Sequence, residues 1–332
     1  GIGVKTVQAE DEIAGITMAI GASFAGCLAA TSTSGPGMSL KTEGIGLAVM
    51  AELPLVIVDV MRSGPSTGMP TKTEQGDLLQ ALYGRSGESP LAVLAAPTPD
   101  SCFHYAFMAS KIALENMTPV ILLTDAFIGN GSSLWRLPKL ADLPEIHPHF
   151  VPSNMENYKV TTRNEDTKIR YWSIPGMKGF QHCNGGLEKD YTTGNLSTDP
   201  ENHEKMVLTR KQKVDNIVNV IPELEIEGNT DADLLVVGWG GTYGHLKSAV
   251  DNLNNKGYKI ALAHFTYLFP LPANTENVIG KYEKIVVCEL NTGQFASYLR
   301  SKIPGKTFTQ FNKIQGQPFK TEELENHFIS LL

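Results

Sequence analysis

The sequence has few cysteines, and they lie far apart, at positions 27, 102, 183 and 288. Zinc and iron–sulfur sites usually take thiolates from cysteines two to four residues apart, so that one loop supplies two ligands. The histidines at 182, 203, 245 and 264 also lack the i, i+4 spacing of a helical metal pair. We therefore expect no metal ion or cluster on this chain, and cysteines that behave as small buried hydrophobic residues.

The sequence also lacks a long apolar run and an excess of basic residues. No run approaches the roughly 18 apolar residues of a membrane span, and no basic-then-apolar signal segment opens the sequence. The net charge is −7, the pI is about 5.7, and the longest block of like charge is the acids at 10–12. This composition argues against nucleic acid and membrane as main partners, and the cytoplasm is the expected location.

Apolar segments alternate with helical patterns over the first 150 residues. Strands are predicted at 27–32, 53–60, 90–96 and 118–126, the last three being continuous in apolar residues as buried parallel strands are. Helices are predicted at 10–26, where the acids favour the start and Gly26 ends the helix, and at 98–116, with Thr98 as the cap and Pro99 in the first position. The pattern is typical of an α/β domain with a parallel sheet.

The composition changes between about residues 132 and 200, where the sequence is rich in prolines and turn residues. We predict an irregular connector over 151–228, with a helix near 199–220. A second α/β unit over 229–332 then begins with "DADLLVVGWGGTYGHLKSAVDNLNNKGYKIALAHF", which reads as strand, glycine turn, helix and strand. A further strand and helix are predicted over 283–303.

Several loops follow predicted strands, at the sheet edge where parallel α/β proteins bind ligands. "TSTSGPG" (31–37) offers hydroxyls and two glycines, although a tight turn is the favoured explanation for this loop taken alone. Arg62 follows directly after a strand, and its guanidinium suits a carboxylate. A surface arginine paired with Asp59 or Glu74 is the plain alternative, but the loop after it is unusually long for a connector.

Two further motifs favour a structural role when taken alone. Glu10 stands at a helix start, where an acid is usually only a favourable partner of the helix dipole. "VVGWGGTYG" (236–244) follows a strand and opens a helix, but its glycines miss the G-x-G-x-x-G spacing of a dinucleotide site. We interpret it as a close-packing turn.

In combination these motifs are specific. "VQAEDEIAGITMAIGASFAG", "RSGPSTGMPTKTEQGDL", "GLEKDYTTGNLSTDPENHEKMVLTRKQK", "LLVVGWGGTYG" and "KIQGQPF" closely resemble the alpha subunit of 2-oxoacid:ferredoxin oxidoreductases, and most of all its 2-oxoglutarate type. The resemblance covers nearly the whole chain. It implies a thiamine-pyrimidine-binding domain over residues 1–150 and a transketolase C-terminal-like α/β domain over residues 229–332.

The resemblance also implies cofactors and partners. The family uses thiamine diphosphate, shared with a beta subunit that carries Mg²⁺ and a [4Fe–4S] cluster. Its substrates are a 2-oxoacid and coenzyme A, and ferredoxin accepts the electrons. Catalysis is expected only with the beta subunit. The family's usual N-terminal strand with its "YPITPS"-like turn, and the gamma-type domain, are not seen in the sequence, so we expect a fragment or a second chain that supplies them.

Site residues follow from the resemblance position by position. Glu10 matches the glutamate that hydrogen-bonds N1′ of the aminopyrimidine, and Arg62 matches the arginine that holds the 2-oxoacid carboxylate. Cofactor-pocket residues are further predicted at Thr31, Ser34 and Gly35. Substrate-loop residues are predicted at Ser63, Gly64 and Thr67.

Substrate identity stays open at this point. Lys72 and Arg85 are candidates for binding the distal carboxylate of 2-oxoglutarate, and pyruvate or a branched-chain 2-oxoacid is the alternative substrate. Two other functions also remain: a non-catalytic scaffold that only binds the partner subunit, and a nucleotide-binding oxidoreductase that uses the Gly238 turn.

Overall fold

The computed structural model describes residues 3–332, which build two five-stranded sheets. The strands are β1 (Ala30–Thr33), β2 (Leu55–Met61), β3 (Ala92–Ala95), β4 (Pro119–Asp125), β5 (Ile226–Gly228), β6 (Leu234–Trp239), β7 (Ile260–Phe265), β8 (Tyr267–Phe269), β9 (Ile285–Glu289) and β10 (Thr309–Asn312). The helices are α1 (Glu12–Phe24), α2 (Gly35–Met50), α3 (Leu78–Tyr83), α4 (Cys102–Asn116), α5 (Ala126–Asn130), α6 (Pro200–Asp215), α7 (Tyr243–Asn255), α8 (Thr275–Gly280), α9 (Gln294–Lys302) and α10 (Thr321–Leu331).

The first sheet has the strand order β1-β2-β4-β3-β8. Strands β1 to β4 are parallel, and β2 and β4 pair over their full lengths, from Leu55 opposite Pro119 to Met61 opposite Asp125. Helices α1 and α2 pack against each other on one side of the sheet, and α4 packs on the other. The predicted α/β fold with a parallel sheet between helices is confirmed.

The second sheet has the order β10-β9-β6-β7-β5, with β5 as an antiparallel edge strand. The predicted strand, glycine turn, helix and strand correspond to β6, α7 and β7, and the predicted pair over 283–303 corresponds to β9 and α9. Both interpretations are confirmed, because continuous apolar strands next to amphipathic helices leave few other ways to bury their side chains.

The two sheets share one core. The edge strand β8 lies beyond the second unit's β7 in sequence, yet it pairs antiparallel with β3 of the first sheet, with Leu94 opposite Tyr267. The largest cluster of buried apolar residues includes Ile57 of the first sheet together with Trp239 and Phe265 of the second. The sequence did not indicate β8, since a three-residue edge strand carries almost no pattern.

The segment between the sheets is irregular, as predicted, apart from a short 3-10 helix at Leu140–Asp142 and isolated bridges. Helix α6 follows it with Asp199 as N-cap, accepting from the amide of Asn202 at 2.7 Å. This agrees with the predicted helix near 199–220. The domain boundaries at 150 and 228 remain a prediction.

Two expectations about local structure are wrong. Helix α4 begins at Cys102 rather than at Pro99, because Thr98 and Ser101 form a closed turn in which Ser101 Oγ accepts from the Thr98 amide at 3.1 Å. The cysteines do not all behave as buried residues: Cys288 is buried, but Cys27 and Cys183 are exposed. None of the helices within residues 3–332 combines the length and the hydropathy that crossing a bilayer requires.

Candidate active site

Arg62 lies at the carboxyl edge of the first sheet, directly after β2. Its Nε donates to Ser34 Oγ at 3.3 Å, and its Nη1 donates to the carbonyl of Thr67 at 2.8 Å. The structure thus brings together three of the residues predicted for the site. Within residues 3–332, Arg62 forms no ion pair with Asp59 or Glu74, so the plain alternative for this arginine does not hold.

The residues from Arg62 to Asp77, which we call the arginine loop, fold back on themselves. The amide of Ser63 donates to the carbonyl of Lys72 at 2.8 Å, and the amide of Met69 donates to the carbonyl of Ser63 at 3.1 Å. Gly68 has a φ of +43°, and a Cβ there would overlap the Ser63 carbonyl oxygen. Only glycine fits this position, which curls the loop so that Thr67 presents its carbonyl, not its hydroxyl, to Arg62. Gly64 lies at the start of the same curl.

The predicted loop over 31–37 is instead the end of one element and the start of the next. Strand β1 continues to Thr33, Ser34 is the N-cap of α2, and the helix begins at Gly35. Ser34 makes no capping hydrogen bond with its side chain. Its hydroxyl is therefore available to Arg62, at a helix N-terminus that favours negative charge.

Glu10 lies near the same edge, just ahead of α1. Asp11 caps this helix by accepting from the amide of Ala14 at 2.7 Å, whereas the side chain of Glu10 is exposed and makes no hydrogen bond within the described chain. Glu12, two residues further, lies against the start of α2: its Cγ would be 2.7 Å from a Cβ on Gly37. The helix start that carries Glu10 therefore adjoins the helix start that carries Ser34.

Thr31 lies against α1 and makes no hydrogen bond with Arg62. Its hydroxyl and Lys41 Nζ both face Gly15 of α1, at 3.5 and 3.3 Å from the position of a Cβ there. Lys41 is buried, and its Nζ donates to the carbonyl of Glu12 at 2.9 Å. Burial lowers the pKa of Lys41, while the carboxylates of Glu12 and Asp11 oppose that effect. Lys41 thus places a cation behind the acids that open α1.

The far half of the arginine loop is bound to the second sheet through Gln75. Its amide side chain donates to the Trp239 carbonyl at 2.8 Å and accepts from the Leu290 amide at 3.0 Å. Its backbone donates to the Leu290 carbonyl at 2.9 Å and accepts from Asn291 Nδ2 at 2.8 Å. This is why a buried strand continues into so long a polar loop: the loop connects the two sheets.

The glycine turn after β6 also packs between the sheets. A Cβ on Gly241 would overlap Asp125 Oδ2 at the end of β4, and a Cβ on Gly240 would lie 3.1 Å from Gln75 Nε2. Asp125 itself accepts from Thr73 Oγ1 of the arginine loop at 3.1 Å. The interpretation of this motif as a close-packing turn is confirmed, and the buried turn leaves no space for a nucleotide.

A pair of acids below Arg62 was not predicted from the sequence. Asp59 on β2 is fully buried, and its carboxyl lies within hydrogen-bonding reach of the Asp77 carboxyl. Burial, and then the charge of Asp77 and the hydrogen bond with it, raise the pKa of Asp59 well above its usual value. Burial likewise raises the pKa of Asp77 to about 6. The signal in the sequence is an acid inside the apolar strand "LVIVDVM".

The two candidates for a distal carboxylate differ in their surroundings. Arg85 donates to the carbonyls of Ala81, Leu82 and Ser89 at 2.8 to 3.1 Å. These bonds cap α3 and leave its guanidinium little capacity for a second carboxylate. Lys72 is exposed on the arginine loop.

Two clefts of the chain lie away from these residues. One of about 280 Å³ is lined by Pro99, Phe103 and Trp135, and another of about 670 Å³ by Tyr258 and Tyr282. Neither includes Glu10 or Arg62. Among residues 3–332, no group of three or more histidine, cysteine or acidic side chains is arranged to hold a metal ion. The candidate site is the edge of the first sheet that carries Arg62 and Ser34, with Glu10 nearby.

Family models match both units of the chain. One described as pyruvate flavodoxin/ferredoxin oxidoreductase, thiamine diP-bdg, matches residues 2–199. Another described as pyruvate:ferredoxin oxidoreductase core domain II matches residues 232–324.

Relatives match at high coverage of this chain. The 2-oxoglutarate oxidoreductase subunit KorA of Mycobacterium tuberculosis is 48% identical over 97% of this chain, which spans 49% of that protein. The 2-oxoglutarate synthase subunit KorA of Archaeoglobus fulgidus is 36% identical over 87% of this chain and 75% of its own length.

Solved structures also match. One is the 2-oxoglutarate:ferredoxin oxidoreductase from Magnetococcus marinus with 2-oxoglutarate, coenzyme A and succinyl-CoA bound. It aligns with a TM-score of 0.93 and 33% identity, and the alignment covers 99% of this chain and 57% of that chain. A split gene transketolase aligns with a TM-score of 0.51 at 10% identity, a similarity of fold alone. This chain thus spans about half the length of several proteins that it matches.

Proposed function

Because this chain belongs to the family of 2-oxoacid:ferredoxin oxidoreductases, we propose that it works as the alpha subunit, or part of it, in an enzyme that oxidatively decarboxylates 2-oxoglutarate. In this reaction the bond between C1 and C2 of 2-oxoglutarate breaks and C1 leaves as CO₂. The remaining acyl group forms a thioester with coenzyme A, giving succinyl-CoA, and two electrons pass singly to two oxidised ferredoxins. The observation that carries the proposal is Arg62, held beside Ser34 at the sheet edge without an ion-pair partner within residues 3–332.

The residues around Glu10 fit the pyrimidine half of thiamine diphosphate. The carboxylate is exposed and without a hydrogen bond in the described chain, and Val7 and Ile13, three residues before and after it in sequence, are exposed apolar residues. An unpaired acid suits a flat heterocycle with one basic nitrogen, and the apolar side chains offer contacts for its ring. Glu10 would accept a hydrogen bond from N1′ of the aminopyrimidine, and Thr31, Ser34 and Gly35 would border the coenzyme. The bound coenzyme supplies the carbon nucleophile and the electron sink for decarboxylation.

Arg62 would bind and orient the substrate. Its Nε and Nη1 are held by Ser34 and Thr67, which fixes the plane of the guanidinium and leaves Nη2 for the 2-oxoacid carboxylate. Ser63 and Gly64 shape the backbone on one side of it. Lys72, exposed on the same loop, is the candidate for the distal carboxylate of 2-oxoglutarate.

The partner subunit would complete the site. Glu10 is exposed, and neither it nor Arg62 lines the two clefts described above. We assign Mg²⁺, the diphosphate end of the coenzyme and a [4Fe–4S] cluster to a beta subunit, since the cysteines of this chain lack the close spacing that a cluster requires. Activity by this chain alone is expected to be nil.

The proposal is tested by reconstitution with a beta subunit, thiamine diphosphate, Mg²⁺ and coenzyme A, following reduction of a viologen dye. Glu10→Gln should lower kcat by a factor on the order of 10² to 10⁴, because the group that holds the N1′ proton is lost. Arg62→Ala should raise KM for the 2-oxoacid by a factor on the order of 10², with Arg62→Lys in between. Glu43→Gln, an exposed acid on α2, is the matched control.

Several outcomes would contradict this function. Full activity in both Glu10→Gln and Arg62→Ala would overturn the assigned roles, and a stable complex inactive on every 2-oxoacid would favour a non-catalytic scaffold. Because the matching family models are described by pyruvate, the assay is run with 2-oxoglutarate, pyruvate and a branched-chain 2-oxoacid. A higher kcat/KM for pyruvate than for 2-oxoglutarate would identify pyruvate as the substrate.

A further inference from the structure

Asp59 occupies a position where the strand would otherwise carry an apolar residue. Side chains alternate along a strand, and Leu55, Ile57 and Met61, which share its face, all belong to the main core. Asp59 is fully buried, and within the described chain neither of its carboxyl oxygens receives a hydrogen bond from an N–H or O–H group. Oδ2 of Asp77 is likewise buried without a donor. The two carboxyl groups have each other as partners.

Two carboxyl groups in contact require a proton between them. A carboxylate oxygen is only an acceptor, so a hydrogen bond between the two acids exists only when one is protonated. Ionising both would place two like charges together in an apolar setting, which is far more costly than ionising one. The raised pKa of both groups agrees with this, and the deeper burial of Asp59 makes it the acid that keeps the proton.

The charges that act on the pair come from its own loop. Glu74 repels the charge of Asp77, and Arg62 attracts it from beyond ion-pair distance. The neighbouring strands present the neutral Thr33 and Leu123 opposite Asp59. Helix α2 presents its N-terminus, where a Cβ on Gly35 would lie 2.9 Å from both oxygens of Asp77. One negative charge on Asp77 is therefore well placed, between a guanidinium and a helix N-terminus.

We propose that Asp59 and Asp77 share one proton, and that the resulting single negative charge positions Arg62 without cancelling its attraction for the carboxylate of the substrate. The second part rests on the proposed function. With no proton on the pair, a second negative charge would face Arg62 and repel an anionic 2-oxoacid. With the proton on Asp59, Asp77 alone balances the helix N-terminus, and Arg62 keeps its capacity to bind the substrate. Asp59 and Asp77 are positioning residues, not catalytic ones.

Infrared spectroscopy of the complex with its beta subunit tests the shared proton without any turnover. The difference spectrum between the wild type and Asp59→Asn should show the carbonyl band of one protonated carboxyl group at neutral pH. Asp59→Asn should remove this band, because its amide donates to Asp77 in place of the proton. Asp77→Asn should shift the band, because the protonated Asp59 then donates to an amide oxygen and not to a carboxylate. The absence of the band in the wild type, or its persistence in Asp59→Asn, would overturn the proposal.

The pH dependence of KM for the 2-oxoacid tests the positioning role. In the wild type, KM should rise on the order of tenfold as the pH rises through the pKa of Asp59, because the pair then gains its second charge. In Asp59→Asn this rise should be absent, and in the control Glu43→Gln, an exposed acid on α2, it should remain. An identical rise in wild type and Asp59→Asn would overturn the positioning role. An unchanged KM in Arg62→Ala would instead count against the proposed function itself.

Discussion

Gly37 shows how closely the elements meet at the candidate site. A Cβ at this position would overlap Thr33 Oγ1 at the end of β1 and lie 2.7 Å from Glu12 Cγ at the start of α1. Gly37 is in the first turn of α2, so the packing leaves room for a hydrogen atom and nothing larger. The absent side chain therefore sets the distance between the segment carrying Glu10 and the segment carrying Ser34.

Replacing Gly37 by alanine should destabilise the chain by about 1–3 kcal/mol, because a strand hydroxyl and an acid must both move. Gly46→Ala on the same helix is the control: a Cβ there meets no atom within 4 Å. That variant should gain about 0.5–1 kcal/mol from the higher helix propensity of alanine. Urea unfolding measures both. Equal effects of the two substitutions would show that α2 can shift without cost.

The arginine loop acts as a link between the two sheets. Gln75 hydrogen-bonds the Trp239 carbonyl and the Leu290 amide, where β6 and β9 end. Thr73 donates to Asp125, where β4 ends. Gln294 adds a bond from its Nε2 to the carbonyl of Gly76 at 2.7 Å. Because the arginine loop is hydrogen-bonded to both sheets, it holds Arg62 more rigidly than a free surface loop would.

Gln75→Ala should cost about 1–3 kcal/mol, because the buried Leu290 amide loses its partner and the Trp239 carbonyl keeps only the hydroxyl of Thr242. Hydrogen exchange of the arginine loop should become faster, and KM for the 2-oxoacid should rise in the reconstituted enzyme. The control is Gln80→Ala, whose Nε2 bonds Ser39 Oγ at the surface and whose loss should stay within about 0.5 kcal/mol. Unchanged exchange in Gln75→Ala would mean that the loop does not depend on the second sheet.

At the scale of the whole molecule, one buried acid joins the first sheet, the connector and α6. Glu52 follows α2 and pairs with Arg163 Nη2 at 3.0 Å and with Lys213 Nζ at 2.6 Å. Its backbone carbonyl accepts from Arg170 Nε at 3.2 Å. The surrounding cations outweigh the effect of burial and hold the pKa of Glu52 well below its usual value. Burial, opposed by Glu52, lowers the pKa of Lys213 to about 8. All three cations lower the pKa of Glu52, whereas Arg163 and Arg170 lower the pKa of Lys213 and so oppose the effect of Glu52 on it.

Glu52→Gln should destabilise the chain by about 3–5 kcal/mol at neutral pH, because buried cations lose their only carboxylate among the described residues. Since the folded-state pKa of Glu52 is depressed, its stabilisation is fully present above the unfolded value of about 4.3 and is lost as the pH falls through the folded value. The gap between wild type and variant should therefore narrow in acid. Unfolding at pH 7 and at pH 3 measures this.

Glu165→Gln is the matched control for Glu52. Glu165 lies in the same connector and pairs with Lys168 at 3.2 Å, but it is largely exposed to solvent, so its removal should cost less than about 1 kcal/mol. If Glu52→Gln were as mild as Glu165→Gln, the connector would be held by its apolar contacts instead, such as Trp172 against Met117.

The sequence by itself determined the elements whose signal is local. Continuous apolar runs predicted β2, β3, β4, β6 and β9, and acids followed by an apolar period predicted α1, because hydrophobic periodicity and helix capping act within a few residues. It also identified the motifs of the family. Arg62 was singled out for its position after a strand, and the end of a strand is readable from the sequence.

Only the tertiary structure decided which side chains meet. The edge strand β8, the contact of Arg62 with Ser34, the links made by Gln75 and the pairing of Asp59 with Asp77 all join residues that are distant in sequence. Such contacts depend on how helices and sheets pack, and no local pattern encodes that. The start of α4 was predicted too early for the same reason on a smaller scale. Ser101 hydrogen-bonds Thr98 and closes a turn over residues that we had assigned to the helix.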